Sequence, residues 1–165
     1  MNRIESFEEL QSLEITGVQK TLKECPNFVR LLKEAFENPN CMIFERHGTL
    51  DIIVYVPSIA STNTKRRLEP YGLYIPVYSY AREIDVWMAE KDGGEFTDAY
   101  AAGHYDSTTS LDEVISLATN KLNQCDYCKE NVGLENLTRI AFCNKACPKC
   151  EKSAREKDEF PGWAN

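Results

Sequence analysis

Cys41-Met42-Ile43-Phe44-Glu45-Arg46-His47-Gly48-Thr49-Leu50-Asp51-Ile52-Ile53-Val54-Tyr55-Val56 reads as two β-rich runs on either side of a two-residue turn. β-Branched and aromatic side chains suit the pleated surface of a strand, and glycine tolerates the positive φ that tight hairpin turns require. The stretch therefore predicts strands over 41–46 and 49–56 joined through His47-Gly48. A hairpin commits its strands to antiparallel pairing, since a parallel pair needs a crossover of a dozen or more residues.

Upstream of this hairpin the pattern is helical. Ser6-Phe7-Glu8-Glu9 places a serine and a glutamate three apart, a pairing that satisfies free N–H groups at a helix start. A second helix is expected after Thr16. A third follows Pro26, with Phe28, Leu31, Leu32, Ala35 and Phe36 on one stripe, and Asn38-Pro39-Asn40 ends it. Downstream, residues 57–70 combine Pro57, a Ser/Thr/Asn cluster and Lys65-Arg66-Arg67, so an exposed loop is expected. Residues 72–80 and 84–90 read as two more strands, with Pro76 pushing the first toward a sheet edge. Asp92-Gly93-Gly94 turns the chain into a fifth strand over 96–105. Ser110-Leu111-Asp112-Glu113 repeats the capping signal ahead of a stripe of Leu111, Val114, Ile115, Ala118 and Leu122. Helices, then a run of strands, then a helix predict an α+β fold with an antiparallel sheet rather than a parallel βαβ arrangement.

The chain has 165 residues, 42% hydrophobic and 27% charged, which permits a packed core and excludes global disorder. No apolar run approaches the roughly 20 residues of a bilayer span, and Met1-Asn2-Arg3-Ile4-Glu5 is too acidic and polar for a signal peptide. A soluble, intracellular protein is expected. Acids outnumber bases 26 to 19, for a net charge of −7. That balance argues against coating a phosphate backbone, so neither a membrane nor direct nucleic-acid binding is expected.

The seven cysteines divide the chain. Cys25 and Cys41 stand alone, whereas Cys125, Cys128, Cys143, Cys147 and Cys150 crowd into 26 residues. Residues 1–122 carry 12 bases and 19 acids and read as an acidic α+β domain; residues 123–165 carry 7 of each. The absence of repeats, low-complexity tracts and long linkers predicts that the two parts pack together.

Cys125-Asp126-Tyr127-Cys128 and Cys147-Pro148-Lys149-Cys150 are two C-x2-C turns separated by 18 residues. Such a turn aims both sulfurs at one ion while backbone N–H groups face the thiolates, and two of them complete a tetrahedron. This pattern resembles the zinc-ribbon or rubredoxin-knuckle class over about 26 residues. The expected ligands are Cys125, Cys128, Cys147 and Cys150, with Cys143 a neighbouring thiol. Zinc is the expected ion, and iron remains the alternative on ligands alone. Four thiolates leave no position for water, so the zinc is expected to be structural. Leu137 to Phe142 read as a strand between the turns, and Val132-Gly133 as a bend.

Other chemistry is sparse. His47 reads as a turn residue. His104, in Gly103-His104-Tyr105-Asp106, offers a His–Asp pair for base catalysis, but no nucleophile motif, phosphate loop or HExxH pattern accompanies it. Asp92-Gly93-Gly94-Glu95 lacks the alternating oxygen ligands of a calcium loop and reads as a turn. Tyr71, Tyr74, Tyr78 and Tyr80 lie near Lys65-Arg66-Arg67 in sequence, an arrangement that suits either nucleotide stacking or protein recognition. The acidic surplus favours a basic protein partner.

After the second cysteine turn, residues 151–157 read as a charged helix, and Phe160-Pro161-Gly162-Trp163 close the chain as an aromatic clasp. A knuckle, a charged helix and a terminal Pro-Gly-Trp resemble the tails of small proteins of Gram-positive phages and prophages. That resemblance implies a non-enzymatic protein acting in the host cytoplasm by binding a host protein, of which zinc-containing inhibitors of type II CRISPR nucleases are one class. A CRISPR nuclease carries a basic channel that an acidic protein can enter. The alternative is a zinc-ribbon accessory factor in phage transcription or replication, binding nucleic acid or polymerase; a third is an enzyme using His104.

Overall fold

The computed structural model describes residues 2–64, 67–140 and 144–157. The chain begins with a short strand, β1 (Asn2–Ile4), followed by three helices, α1 (Phe7–Ser12), α2 (Thr16–Glu24) and α3 (Pro26–Glu37). Ser6 Oγ accepts from the Glu9 N–H at 3.1 Å, and the Glu9 carboxylate reaches back to the Glu5 N–H at 2.8 Å, so both halves of the capping signal are in place. Pro26 occupies the first turn of α3, where its missing N–H removes no helical bond. Phe28, Leu31, Leu32 and Ala35 are buried along the predicted stripe.

The central hairpin forms as read, with β2 (Cys41–Arg46) and β3 (Thr49–Tyr55) paired antiparallel. His47 and Gly48 have φ of 52° and 83°, the two positive values that a tight turn matching strand twist needs. Then come a four-residue helix, α4 (Pro57–Ala60), and strands β4 (Glu69–Val77), β5 (Glu83–Asp92) and β6 (Glu95–Asp106). The sheet order β1-β2-β3-β4-β5-β6 is a meander with every pair antiparallel, so the α+β class holds. α5 (Leu111–Leu122) follows, capped by Ser110 Oγ on the Glu113 N–H at 3.3 Å.

Three expectations change. The strand β1 has no counterpart in the sequence pattern, because three residues are too few to alternate. The segment 57–70 is not all loop: Val56 precedes a Pro-initiated helical turn whose Ile59 is buried in the core. Pro76 lies in β4, a central strand rather than an edge. It pairs with Asp51 on β3, but the β4–β5 register ends at Tyr74–Trp87, so Pro76 meets a ladder on one side only. The missing N–H is tolerated at this local edge.

Helices α1, α2, α3 and α5 contribute to one core with Leu50, Ile52, Val54, Leu73, Ile75, Ile84, Val86 and Met88 from the sheet. The opposite face buries itself by curling. Phe44 on β2 and Phe96 on β6 lie with ring centroids 6.0 Å apart although three strands separate them in the sheet order. At the usual strand spacing a flat sheet would hold them about 19 Å apart. Register shifts at Pro70/Gly72 in the β4–β5 pair and at two places between Asp85 and Ala89 in the β5–β6 pair supply the bend. Gly72 is required at the first of these, since a Cβ there would sit 1.8 Å from the Val54 carbonyl oxygen. The resulting trough buries Phe44, Ile53, Tyr74, Ala89 and Phe96 as a second core.

That trough also holds a buried carboxylate. Asp51 is 2% exposed; its Oδ2 accepts from the Tyr74 hydroxyl at 2.7 Å and lies 3.5 Å from the Arg46 guanidinium. Burial pushes the Asp51 carboxyl above the ordinary range, against the pull of Tyr74 and Arg46, and nearby Asp98 adds to the rise. The folded state thus holds this proton more tightly than the unfolded chain, so the ionised form costs stability above the folded-state pKa. The cost vanishes as pH falls below the unfolded value of about 3.9. Asp51→Asn retains an acceptor for Tyr74 and removes the titration. We expect wild-type stability to decline relative to Asp51→Asn from pH 4 toward neutrality, read by denaturant unfolding at each pH; parallel profiles would refute this.

Candidate metal centre

Beyond α5 the chain makes a small second cluster. A 3₁₀ turn (Leu134–Asn136) leads to β7 (Thr138–Arg139), which pairs with β8 (Lys145–Ala146), and α6 (Glu151–Lys157) leaves the second cysteine turn. Gly133, in the predicted bend, has φ 85°. The predicted strand over 137–142 is thus reduced to the β7 pair among the described residues. Cys143, with Ala141 and Phe142, lies outside the described residues, as does the Phe160–Trp163 clasp.

The cysteine cluster is fastened to the main body at its entry. Asn123, which caps α5, accepts the Val132 and Gly133 N–H groups on its carbonyl at 3.0 and 3.1 Å. Its side-chain Oδ1 accepts from the Leu134 N–H at 2.9 Å, and Leu134 is itself part of the main core. Lys145 makes a second attachment. It is 0% exposed, its Nζ lies 3.1 Å from Asp126 Oδ1, and it donates to the Lys121 carbonyl in the last turn of α5 at 3.4 Å. A cation at a helix C-terminus meets carbonyls with no helical partner and the negative end of the helix dipole. The Lys145 N–H also donates to Asp126 Oδ2 at 2.7 Å, and the Asp126 N–H donates to the Lys145 carbonyl at 3.0 Å. Burial lowers the Lys145 pKa, and Asp126 opposes that fall.

Between these anchors the four sulfurs of Cys125, Cys128, Cys147 and Cys150 lie within 4.8 Å of one another. Zn–S bonds of about 2.3 Å in a regular tetrahedron give S···S edges of about 3.8 Å. The Cys128–Cys147 separation of 3.8 Å meets that value. The N–H groups of Tyr127 and Cys147 point at Cys125 Sγ, each at 3.4 Å, as a thiolate in a knuckle requires. The donor set and its dimensions therefore fit a tetrahedral metal ion such as zinc.

The electrostatics divide the four thiols. Burial pushes Cys125 up, but backbone N–H bonds from residues 128 and 147, reinforced by neighbouring sulfurs, outweigh it and draw the thiol below its ordinary value. Cys150 is pushed up to about 12, first by burial and then by hydrogen bonding with the other three sulfurs. Four adjacent thiols cannot all ionise without a cation among them, so metal binding must release protons and weaken as pH falls. Cys25 and Cys41 lie apart: Cys25 Sγ donates to the Ser79 carbonyl at 3.3 Å, and burial raises Cys41 to about 12.

The other sequence candidates are dispersed. His47 sits in the β2–β3 turn. His104 pairs with Asp85 on β5, not with Asp106: its Nδ1 lies 2.6 Å from Asp85 Oδ1, with 62% of its side chain exposed. Asp106 instead accepts from the Thr108 N–H and hydroxyl. Asp92-Gly93-Gly94-Glu95 is the β5–β6 turn. Sequence reading missed the Lys145–Asp126 attachment; a lone lysine two residues before a cysteine carries no signal of burial. Compared with known proteins, the chain matches no family model, no curated protein and no solved structure.

Purified protein should contain about one zinc per chain. Cys128→Ser should abolish it and loosen residues 123–157, whereas Cys25→Ser should leave it bound. Elemental analysis with hydrogen exchange checks this, and metal loss on the Cys25 change would contradict the assignment. Acidification should release the zinc as the sulfurs take up protons, which a metal-sensitive dye read at each pH would follow.

Proposed function

We propose that the protein acts by binding rather than by turnover, that zinc serves it structurally, and that its partner is a basic host protein, a type II CRISPR nuclease. The observation that carries the non-catalytic reading is the donor set. Four sulfurs fill a tetrahedral ion and leave no position for a water that a zinc hydrolase would activate. The most nearly catalytic pair, His104 and Asp85, supports the same reading. It is a largely exposed imidazole on a sheet strand.

The partner follows from charge and from the tail. A chain of net −7 with its acidic excess in residues 1–122 has electrostatic reason to dock on a basic channel and to be steered there. The nuclease is the member of that class implied by the phage-like tail, and the host cytoplasm is the compartment where the two would meet. No helix among the described residues is long and apolar enough to cross a membrane.

The test is a cleavage assay with purified type II nucleases and their guides, titrated with the zinc-loaded protein. The expected result is loss of cleavage at stoichiometric ratios, with association slowing as salt rises. Charge reversals on the acidic domain should weaken inhibition more than His47→Ala or His104→Ala. Full cleavage at large excess across the panel would overturn the nuclease as target. Inactivation at substoichiometric amounts would overturn the non-catalytic reading.

A further inference from the structure

The curl of the sheet leaves an opening at one rim, between the end of β3, the start of β4 and the segment after α4. A cavity of about 500 Å³ lies there, within the roughly 300–1,000 Å³ of small-molecule sites. Its walls bring together Tyr55, Tyr71, Arg67 and Lys91, with Thr62 and Thr64 at its margin. We propose that this cleft binds a nucleotide, the base packed against Tyr55 and Tyr71 and the phosphate held by Arg67 and Lys91. The proposal stands independently of the partner proposed above.

The aromatic half is preorganised. The Tyr55 and Tyr71 rings lie 5.2 Å apart at 60°, and Tyr71 packs in turn on Phe96, 4.8 Å away, whose ring belongs to the second core. Tyr71 is thus held from behind, while Tyr55 is 39% exposed, one of the most exposed large hydrophobic side chains among the described residues. An exposed aromatic backed by a fixed one is a stacking platform, and every base has a π-face to offer it.

The cationic half is unusual for so acidic a protein. Arg67 and Lys91 are both exposed, and neither has an ion-pair partner among the described residues. Arg3, itself paired with Glu5 at 3.4 Å, lies close enough to act on the Tyr71 hydroxyl but does not line the cleft. Glu69 also lines the cleft, across from Lys91 in the β4–β5 register, and its carboxylate can accept from ribose hydroxyls or base N–H groups. Thr62 donates its hydroxyl to the Ser58 carbonyl at 2.9 Å, which fixes the wall and leaves its oxygen as an acceptor. The local charge favours one phosphorylated unit, while the net −7 of the chain disfavours a long polyanion.

The experiment is calorimetric titration of the full, zinc-loaded chain with AMP, GMP, CMP and UMP, alongside adenosine, inorganic phosphate and a 15-nucleotide single strand. At least one monophosphate should bind saturably at submillimolar concentration, with adenosine and phosphate each weaker by about tenfold or more. Tyr55→Ala, and separately the Arg67→Gln/Lys91→Gln double change, should each weaken it about tenfold. Lys152→Gln, an exposed cation on α6, should not. The charge changes are on the surface and preserve folding, which unfolding curves verify, so they test the site even if Tyr55→Ala is destabilised. A strand binding no tighter than the monophosphate identifies a free nucleotide as the ligand; a tighter strand identifies a nucleic-acid terminus or loop in the same cleft. No binding of monophosphate or strand at millimolar concentration, or binding undiminished in both variants, overturns the proposal. Phosphate alone binding as tightly as any monophosphate overturns the base-stacking half.

Discussion

Among the described residues no helix packs into the core on the second face of the sheet, and most of the architecture follows from how that face is buried. An antiparallel meander can leave one face to water, but here that face carries Phe44, Ile53, Tyr74 and Phe96. The sheet bends until its sixth strand reaches back across its second. Bulges in the β4–β5 and β5–β6 pairs absorb the bend, and glycine at position 72 lets two strands approach where a methyl group would collide. The trough excludes water from Asp51, which is why a carboxylate there needs both a tyrosine hydroxyl and a guanidinium.

The cysteine cluster solves a different problem. Among the described residues its buried apolar core is Leu137, Ile140, Ala146 and Ala154 around two buried cysteines, and a core that small calls for added supports. Two supports compensate: the four-sulfur site, and the attachment to α5 through Asn123, Leu134 and the buried Lys145. Lys145 sits between the C-terminal carbonyls of a helix and the carboxylate of a residue inside the first knuckle. The same cation lies near a site that becomes doubly negative when four thiolates surround a zinc ion. Lys145, paired with Asp126, thus joins Asn123 and Leu134 in coupling the cysteine cluster to the main core.

The two surfaces proposed for binding have opposite characters. Residues 1–122 carry the acidic excess, whereas the rim cleft sets Arg67 and Lys91, with Glu69, beside Tyr55 and Tyr71. The proposed partner-docking surface and the proposed nucleotide cleft can be separated by charge reversal at distinct positions.

What the sequence determined by itself was local. Helix starts at Ser6 and Ser110, the His47-Gly48 turn, the buried stripe of α3, the antiparallel class and the spacing of the four cysteines are set by neighbours within a few residues, where dihedral preference and periodicity act. Which distant residues share a space was settled by the folded chain. Sequence grouped Tyr71 with Tyr74, Tyr78 and Tyr80, but the bulge and curl set Tyr71 beside Tyr55 and Phe96 and stacked Tyr78 on Tyr80 elsewhere. It paired His104 with Asp106, but strand register gave it Asp85. It gave no sign that Lys145 is buried, because a lysine is buried only when another part of the chain brings it partners. Strand register, bulges and helix ends arise from contacts far apart along the chain, and no window of sequence contains both sides of such a contact.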